Sequence, residues 1–245
     1  MLVFNKYIGH IRVGRLKYTK DGAPVYPSYE GFTPIIVLTK SSEYGDLGPY
    51  LLKDEGGVIM ENAWQFRKLY PWVPKSNQPF SRFDKTIVWS HPEETHVSNG
   101  IPNEKYWAWR EKGLKFKYPI RYPVGNGIHK SRCICVLTDD GRRLGIEEGR
   151  KEVYLKIYAK LVKNRPAFTE LKNRVMKGEN LLIIEPDGPH QESLDYYQTT
   201  YDVEESFIDQ DTMLVTLKHV KIMLKDPKHS FGHGYCLAMA LMGWV

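Results

Sequence analysis

Within Glu61-Asn62-Ala63-Trp64-Gln65-Phe66-Arg67-Lys68 the chain carries a carboxylate, an amide and an amine at spacings of four and three. Read as one helix over 58–70, with about 100° per residue, Glu61, Gln65 and Lys68 fall within roughly 60° of one another. Ala63, Phe66 and Tyr70 then face a core, and Trp64 borders the polar stripe as a flat wall for a ring-shaped ligand. Roofed over, such a stripe offers an acid or base beside a nucleophilic amine. Left open to water, it is a solvated ion pair of a few tenths of a kcal/mol. A lysine attacks only when neutral, so the chemistry demands burial or a neighbouring cation.

The elements that must deliver this stripe are legible on either side of it. Ile35-Ile36-Val37-Leu38 reads as a buried strand, and Ser41 to Gly57 as a turn-rich loop with a Gly-Gly break. Pro71 stops the helix. Residues 71–130 are rich in Pro, Gly, Trp and Tyr with short strand-like runs such as 86–89, an elaborated region whose aromatics need burial. Arg132 to Leu137 and Arg142 to Ile146, about the turn Asp139-Asp140-Gly141, read as a hairpin. Helices are expected over 147–162, 168–176, 213–224 and 235–244, with a buried strand at Leu181-Leu182-Ile183-Ile184. Leu194 to Tyr201 carries no decisive pattern. The reading is α+β: one compact, mainly helical domain over 1–245, with short strands and a β-rich insertion at about 71–149.

Composition bounds the classes available. At 245 residues, with 42% hydrophobic and 13% aromatic residues, the chain supports a folded core. There is no apolar run of about 20 residues and the first residues lack a signal peptide's apolar core, so no membrane segment is expected. Three cysteines, Cys133, Cys135 and Cys236, suggest free thiols in a reducing, cytoplasmic compartment. A net charge of +6 permits a polyanionic partner. Basic, aromatic stretches are Tyr7 to Lys20, with Arg12, Arg15, Lys17 and Tyr18, and Trp107 to Tyr118; Trp107 and Trp109 could stack bases or pack a core.

Other candidates follow the strand at 181–184. Glu185, Asp187, His190 and Glu192 stand where rigid backbone can hold functional groups, although Pro186-Asp187-Gly188 is also ordinary turn chemistry. His229 and His233 have the spacing of a zinc helix without its Glu, so no metal is expected. Gly232 and Gly234 suit a tight turn that lets backbone amides approach a phosphate at the start of the last helix. Cys133 and Cys135 alternate on a strand as packed thiols. Walker, dinucleotide-binding and nucleophile-elbow motifs are absent.

Tyr44, Gly45, Leu47, Tyr50, Asp54, Gly57, Glu61, Asn62, Trp64, Gln65 and Lys68 together resemble the opening of the NADAR superfamily, with its Tyr-Gly-x-Leu loop and Glu-His/Asn-x-aromatic-Gln-x-x-Lys. Leu171, Gly178, Leu181-Leu182, Glu185 and Asp187 resemble its continuation, and Gly232-His233-Gly234-Tyr235 with the following helix its closing motif. The likeness spans about 35–70 and 150–243. It departs at Gly48-Pro49-Tyr50, where the family has Ser-Asn-Phe, at Tyr235 for Asn, and at Ala238 for Gly. The resemblance implies a metal- and cofactor-free N-glycosidic hydrolase. Lys68 would attack the opened ribose and form a Schiff base, Glu61 would serve as acid/base, and Asp187 would orient the ribose. Tyr44, Gly45, Tyr50, Asn62, Trp64, Gln65, Glu185, Gly232, Gly234 and Tyr235 would contact the substrate. Basic charge and added aromatics favour guanine-ADP-ribosylated DNA as partner, with free ADP-ribose as product, in an antidote or viral counter-defence role. A free phosphoribosyl metabolite of riboflavin synthesis, or binding without turnover, are the alternatives.

Overall fold

Four aliphatic residues in a row, Leu181 to Ile184, cannot alternate between core and solvent, so their strand needs cover on both faces. The computed structural model, which describes residues 8–39, 41–79, 86–121, 123 and 132–245, supplies it. Every residue of the Leu181–Glu185 strand is buried. It pairs in parallel with Ile11–Arg15 on one side and with Thr33–Ile36 on the other. Thr212–Leu214 adds to Ile11–Arg15 in the antiparallel sense and closes the four-stranded sheet. The apolar helix His233–Leu241, buried along its whole length, packs on the two central strands. The fold is α+β.

The chain divides into two units, Met1–Leu51 with Leu155–Val245, and Leu52–Tyr154. The second is one continuous stretch, set between the two halves of the first in sequence. It contains the expected insertion at 71–149 and also the Glu61 segment. Its core is aromatic: Phe66, Trp89, Tyr106 and Trp109 are buried together with Leu69, Ile120, Cys135 and Leu137. The helix Glu104–Leu114 approaches Phe66 through Gly113, where a Cβ would lie 2.0 Å from the ring. Lys68–Leu69, Cys135–Leu137 and Arg143–Leu144 form a three-stranded antiparallel sheet, which contains the expected hairpin. Among the described residues, three further two-stranded ladders lie within 72–102.

Several elements differ from expectation. The residues read as a helix from 213 begin as the strand Thr212–Leu214, because Ile11–Arg15 offers an unpaired edge; the helix starts at Leu217, capped by the Thr216 hydroxyl, which accepts from His219 N. The helical run from Ile146 to Val162 contains a π-helical stretch, Arg150–Leu155. Leu194–Tyr201, undecided from sequence, is helical. Among the described residues no helix is long and apolar enough to cross a membrane. Tyr7, Lys40 and the start of the chain lie outside the described residues.

Candidate functional site

The Glu61 stripe is assembled, although not by one helix. The helix is Met60–Gln65 only, and Lys68–Leu69 turns into a strand paired with Cys135–Leu137. Its carbonyls explain the early stop: Ile134 N donates to Leu69 O and Leu137 N to Arg67 O, bonds that an extended backbone alone can make. The expected helix over 58–70 is therefore corrected at its second half. Lys68 still reaches back. Its Nζ donates to Gln65 Oε1 at 2.9 Å, and Gln65 Nε2 donates to Glu61 Oε1 at 2.8 Å. Glu61 and Gln65 are 7% and 9% exposed, and Lys68 is half-buried.

The amide of Gln65 thus accepts from the amine and donates to the carboxylate, which fixes the spacing of the two groups. Lys68 Nζ also stands 4.7 Å from the centre of the Trp64 ring. That ring is tilted on Tyr154, with centroids 5.1 Å apart, so Trp64 is a buried wall shared between a cation and a second aromatic. Sequence reasoning missed Cys133 as a neighbour of this group. Burial pushes its thiol up to about 11, while the charge of Lys68 pulls the other way. The pairing of Val136 with Lys68 brings this strand alongside, and alternation at 133 and 135 was its only sequence signal.

Asn62, expected to touch substrate, belongs to the scaffold. It is 0% exposed. Its Nδ2 donates to Phe116 O and Tyr118 O, and its Oδ1 accepts from Ile120 N at 2.7 Å. Three backbone groups of an irregular segment are satisfied by one side chain, which needs both donors of an amide.

The remaining expected residues lie in the first unit. Glu185 is 0% exposed and ends the central strand. Its carboxylate accepts from Gly234 N at 2.9 Å and lies 3.0 Å from His233 Nδ1. A Cβ at Gly232 or Gly234 would come within 2.3 or 2.7 Å of its oxygens. The anion at the start of the last helix is therefore the chain's own Glu185, which corrects the expectation of a phosphate there. Burial alone would lower the His233 basicity, but the Glu185 carboxylate outweighs it and raises the pKa. Tyr235 is fully buried and stacked on Phe231. The Tyr44 hydroxyl donates to Glu170 and accepts from Arg174, and Gly45 lets the chain pass 3.0 Å from Leu38 O at its missing Cβ. Tyr44, Gly45, Glu185, Gly232, Gly234 and Tyr235 thus hold the fold. Tyr50 is half-buried.

Asp187 does line a cavity. The strands Ile11–Arg15 and Leu181–Glu185 run in parallel, and at their carboxyl ends lies a cleft of about 210 Å³ lined by Arg15, Asp187, His190, Ser193, Lys228 and His229, among others. This is where open parallel sheets place ligands. Arg15 donates to Gly188 O at 3.2 Å and so stands over the turn that carries Asp187. His229 and His233 have different carboxylate partners, Asp226 and Glu185. Ser193, Lys228 and His229 were not singled out as cleft residues from sequence, because they come from segments far apart in the chain.

Of the basic stretches, Arg12 is buried, stacked 3.6 Å over Tyr29 and donating to Thr212, and Trp109 is core. Trp107, Tyr118 and Lys105, Lys112, Lys115 and Lys117 are exposed. No protein-family model, curated protein or solved structure matches the chain.

Proposed function

We propose that the chain is an N-glycosidic hydrolase that releases ADP-ribose from guanine in DNA, and that Lys68 and Glu61 carry the reaction. The observation behind this reading is the Glu61–Gln65–Lys68 hydrogen-bonded series, buried at Glu61 and Gln65 and half-buried at Lys68. In the reaction a carboxylic acid at Glu61 protonates the departing base. The ribose ring opens between C1′ and O4′, the Lys68 amine bonds to C1′ and passes a proton to O4′, the bond to guanine breaks, and a lysine iminium is left. Water adds to that carbon and the amine departs, which yields free ADP-ribose and the unmodified guanine. Gln65 bridges the two groups through its amide.

The resemblance to the NADAR pattern supports the same roles. The net charge of +6 and the exposed cations and aromatics within 105–118 suit a DNA backbone. Asp187 lines the cleft of the first unit, and the reading rests on Glu61 and Lys68. The test is incubation of the full chain with guanine-ADP-ribosylated DNA in EDTA. Wild type should release ADP-ribose and leave intact DNA, while Lys68→Ala and Glu61→Gln should not. Release only from free phosphoribosyl amines would move the substrate to a small metabolite. Release from neither would overturn the reading.

A further inference from the structure

The cleft of the first unit holds a serine, a histidine and a buried aspartate in hydrogen-bonded series. Ser193 Oγ lies 3.2 Å from His229 Nε2, and His229 Nδ1 lies 2.6 Å from Asp226 Oδ2. The three come from two places in the chain. Ser193 precedes the helix Leu194–Tyr201, and Asp226 and His229 lie just after the helix Leu217–Lys225. Asp226 is fully buried. Burial pushes its carboxyl up, but Tyr197 and Tyr196 hydroxyls at 2.7 and 2.9 Å, the Lys228 amide and His229 together hold it below the usual carboxylate range.

An ionised carboxylate can only accept, so the imidazole proton sits on Nδ1. Nε2 then presents its lone pair, and the Ser193 hydroxyl donates to it. This is the arrangement in which a serine loses its proton to a base that a third group orients. The Tyr197 ring lies against the imidazole, with centroids 5.2 Å apart, and limits its rotation. The cleft that receives the hydroxyl also contains Arg15 and Lys228, so negative charge can develop there beside two cations, with Asp187 the one carboxylate among its lining residues.

We propose that Ser193 is a nucleophile activated by His229, with Asp226 as its positioning residue, and that the site hydrolyses short-chain carboxylic esters. At about 210 Å³ the cleft is below the roughly 300–1,000 Å³ of sites for drug-sized ligands, which limits the acyl group. Ser193 Oγ bonds to the acyl carbon as its proton passes to His229 Nε2, and the carbonyl electron pair moves to oxygen. That pair returns, the ester C–O bond breaks, and the alkoxide takes the proton from Nε2. Water, deprotonated by the same nitrogen, then attacks the acyl-serine and releases the acid, which restores Ser193. The reaction is independent of Lys68 and Glu61.

The experiment treats the full chain with a fluorophosphonate probe and with p-nitrophenyl acetate. The result expected is a phosphonyl adduct on Ser193 by peptide mass spectrometry, absent from Ser193→Ala, together with ester hydrolysis lost in that variant. His229→Asn should slow both by about a hundredfold or more. Asp226→Asn should lower kcat and move the pKa seen in its pH profile, a shift that mere loss of folded chains would not produce. As a second measure, Ser193→Cys should be alkylated by iodoacetamide at least about tenfold faster than Ser193→Cys with His229→Asn. An adduct elsewhere, equal labelling in His229→Asn, or hydrolysis that survives Ser193→Ala would overturn the proposal.

Discussion

Lys68 and Asn62 stand six residues apart and do opposite things. Lys68 is half-buried, and its contacts include an amide oxygen and an aromatic face. Asn62 is locked by three backbone bonds at full burial. Removing its amide strands two carbonyls and one N–H, so Asn62→Ala should destabilise the second unit by about 2–4 kcal/mol, read in a denaturant titration. Cys133 tests the electrostatics of Lys68. With its thiol pushed up to about 11, little thiolate exists at pH 8, so its alkylation should be tens of times slower than that of an unperturbed thiol. Lys68→Ala removes the charge that opposes the shift and should slow alkylation further. A rate for Cys133 equal to that of a free thiol would count against the placement of that lysine.

Among the elements, the central strand and the loop before it are fastened by a carboxylate. Glu179 accepts from Arg174 Nε and Nη2 and from the Thr33 hydroxyl, which holds its pKa down to about 2. The shift is downward, so its stabilising effect is present above the unfolded value of about 4.5 and is lost as pH falls toward 2. Acid titration of Glu179→Gln should therefore lack part of the wild-type loss of stability in that window; identical curves would contradict it. The strand this anchors was legible in the sequence, since four consecutive aliphatic residues allow few other fates. The hairpin at 135–144 and the helix at 166–176 were legible for similar local reasons of turn residues and periodicity. What failed was set by pairing at a distance. Lys68–Leu69 and Thr212–Leu214 became strands because another strand offered an edge, a fact absent from their own periodicity. The site divides likewise. The local Glu61–Gln65–Lys68 contacts could be read from spacing, even though the helix assumed for them was too long. The Glu185 cage and the Ser193–His229–Asp226 series join segments 30 to 50 residues apart, and no window of sequence shows them.

For the whole molecule, the net charge of +6 sets the expectation for a polyanionic partner. If DNA is held through its phosphates, affinity should fall steeply with salt, by about tenfold or more between 50 and 200 mM for even a few phosphate contacts. Glutamate at Lys112 and Lys117, which are exposed on the aromatic, basic stretch, should weaken binding and flatten that slope in a fluorescence-anisotropy titration. A salt-independent affinity would place recognition in the modified nucleotide alone. Central to the account is a covalent bond between Lys68 and the sugar. The most direct measurement is to add borohydride during turnover of guanine-ADP-ribosylated DNA and locate the reduced adduct by peptide mass spectrometry. The account predicts a secondary amine joining ADP-ribose to Lys68, absent from Lys68→Ala. An active protein that never yields an adduct at Lys68 would contradict it.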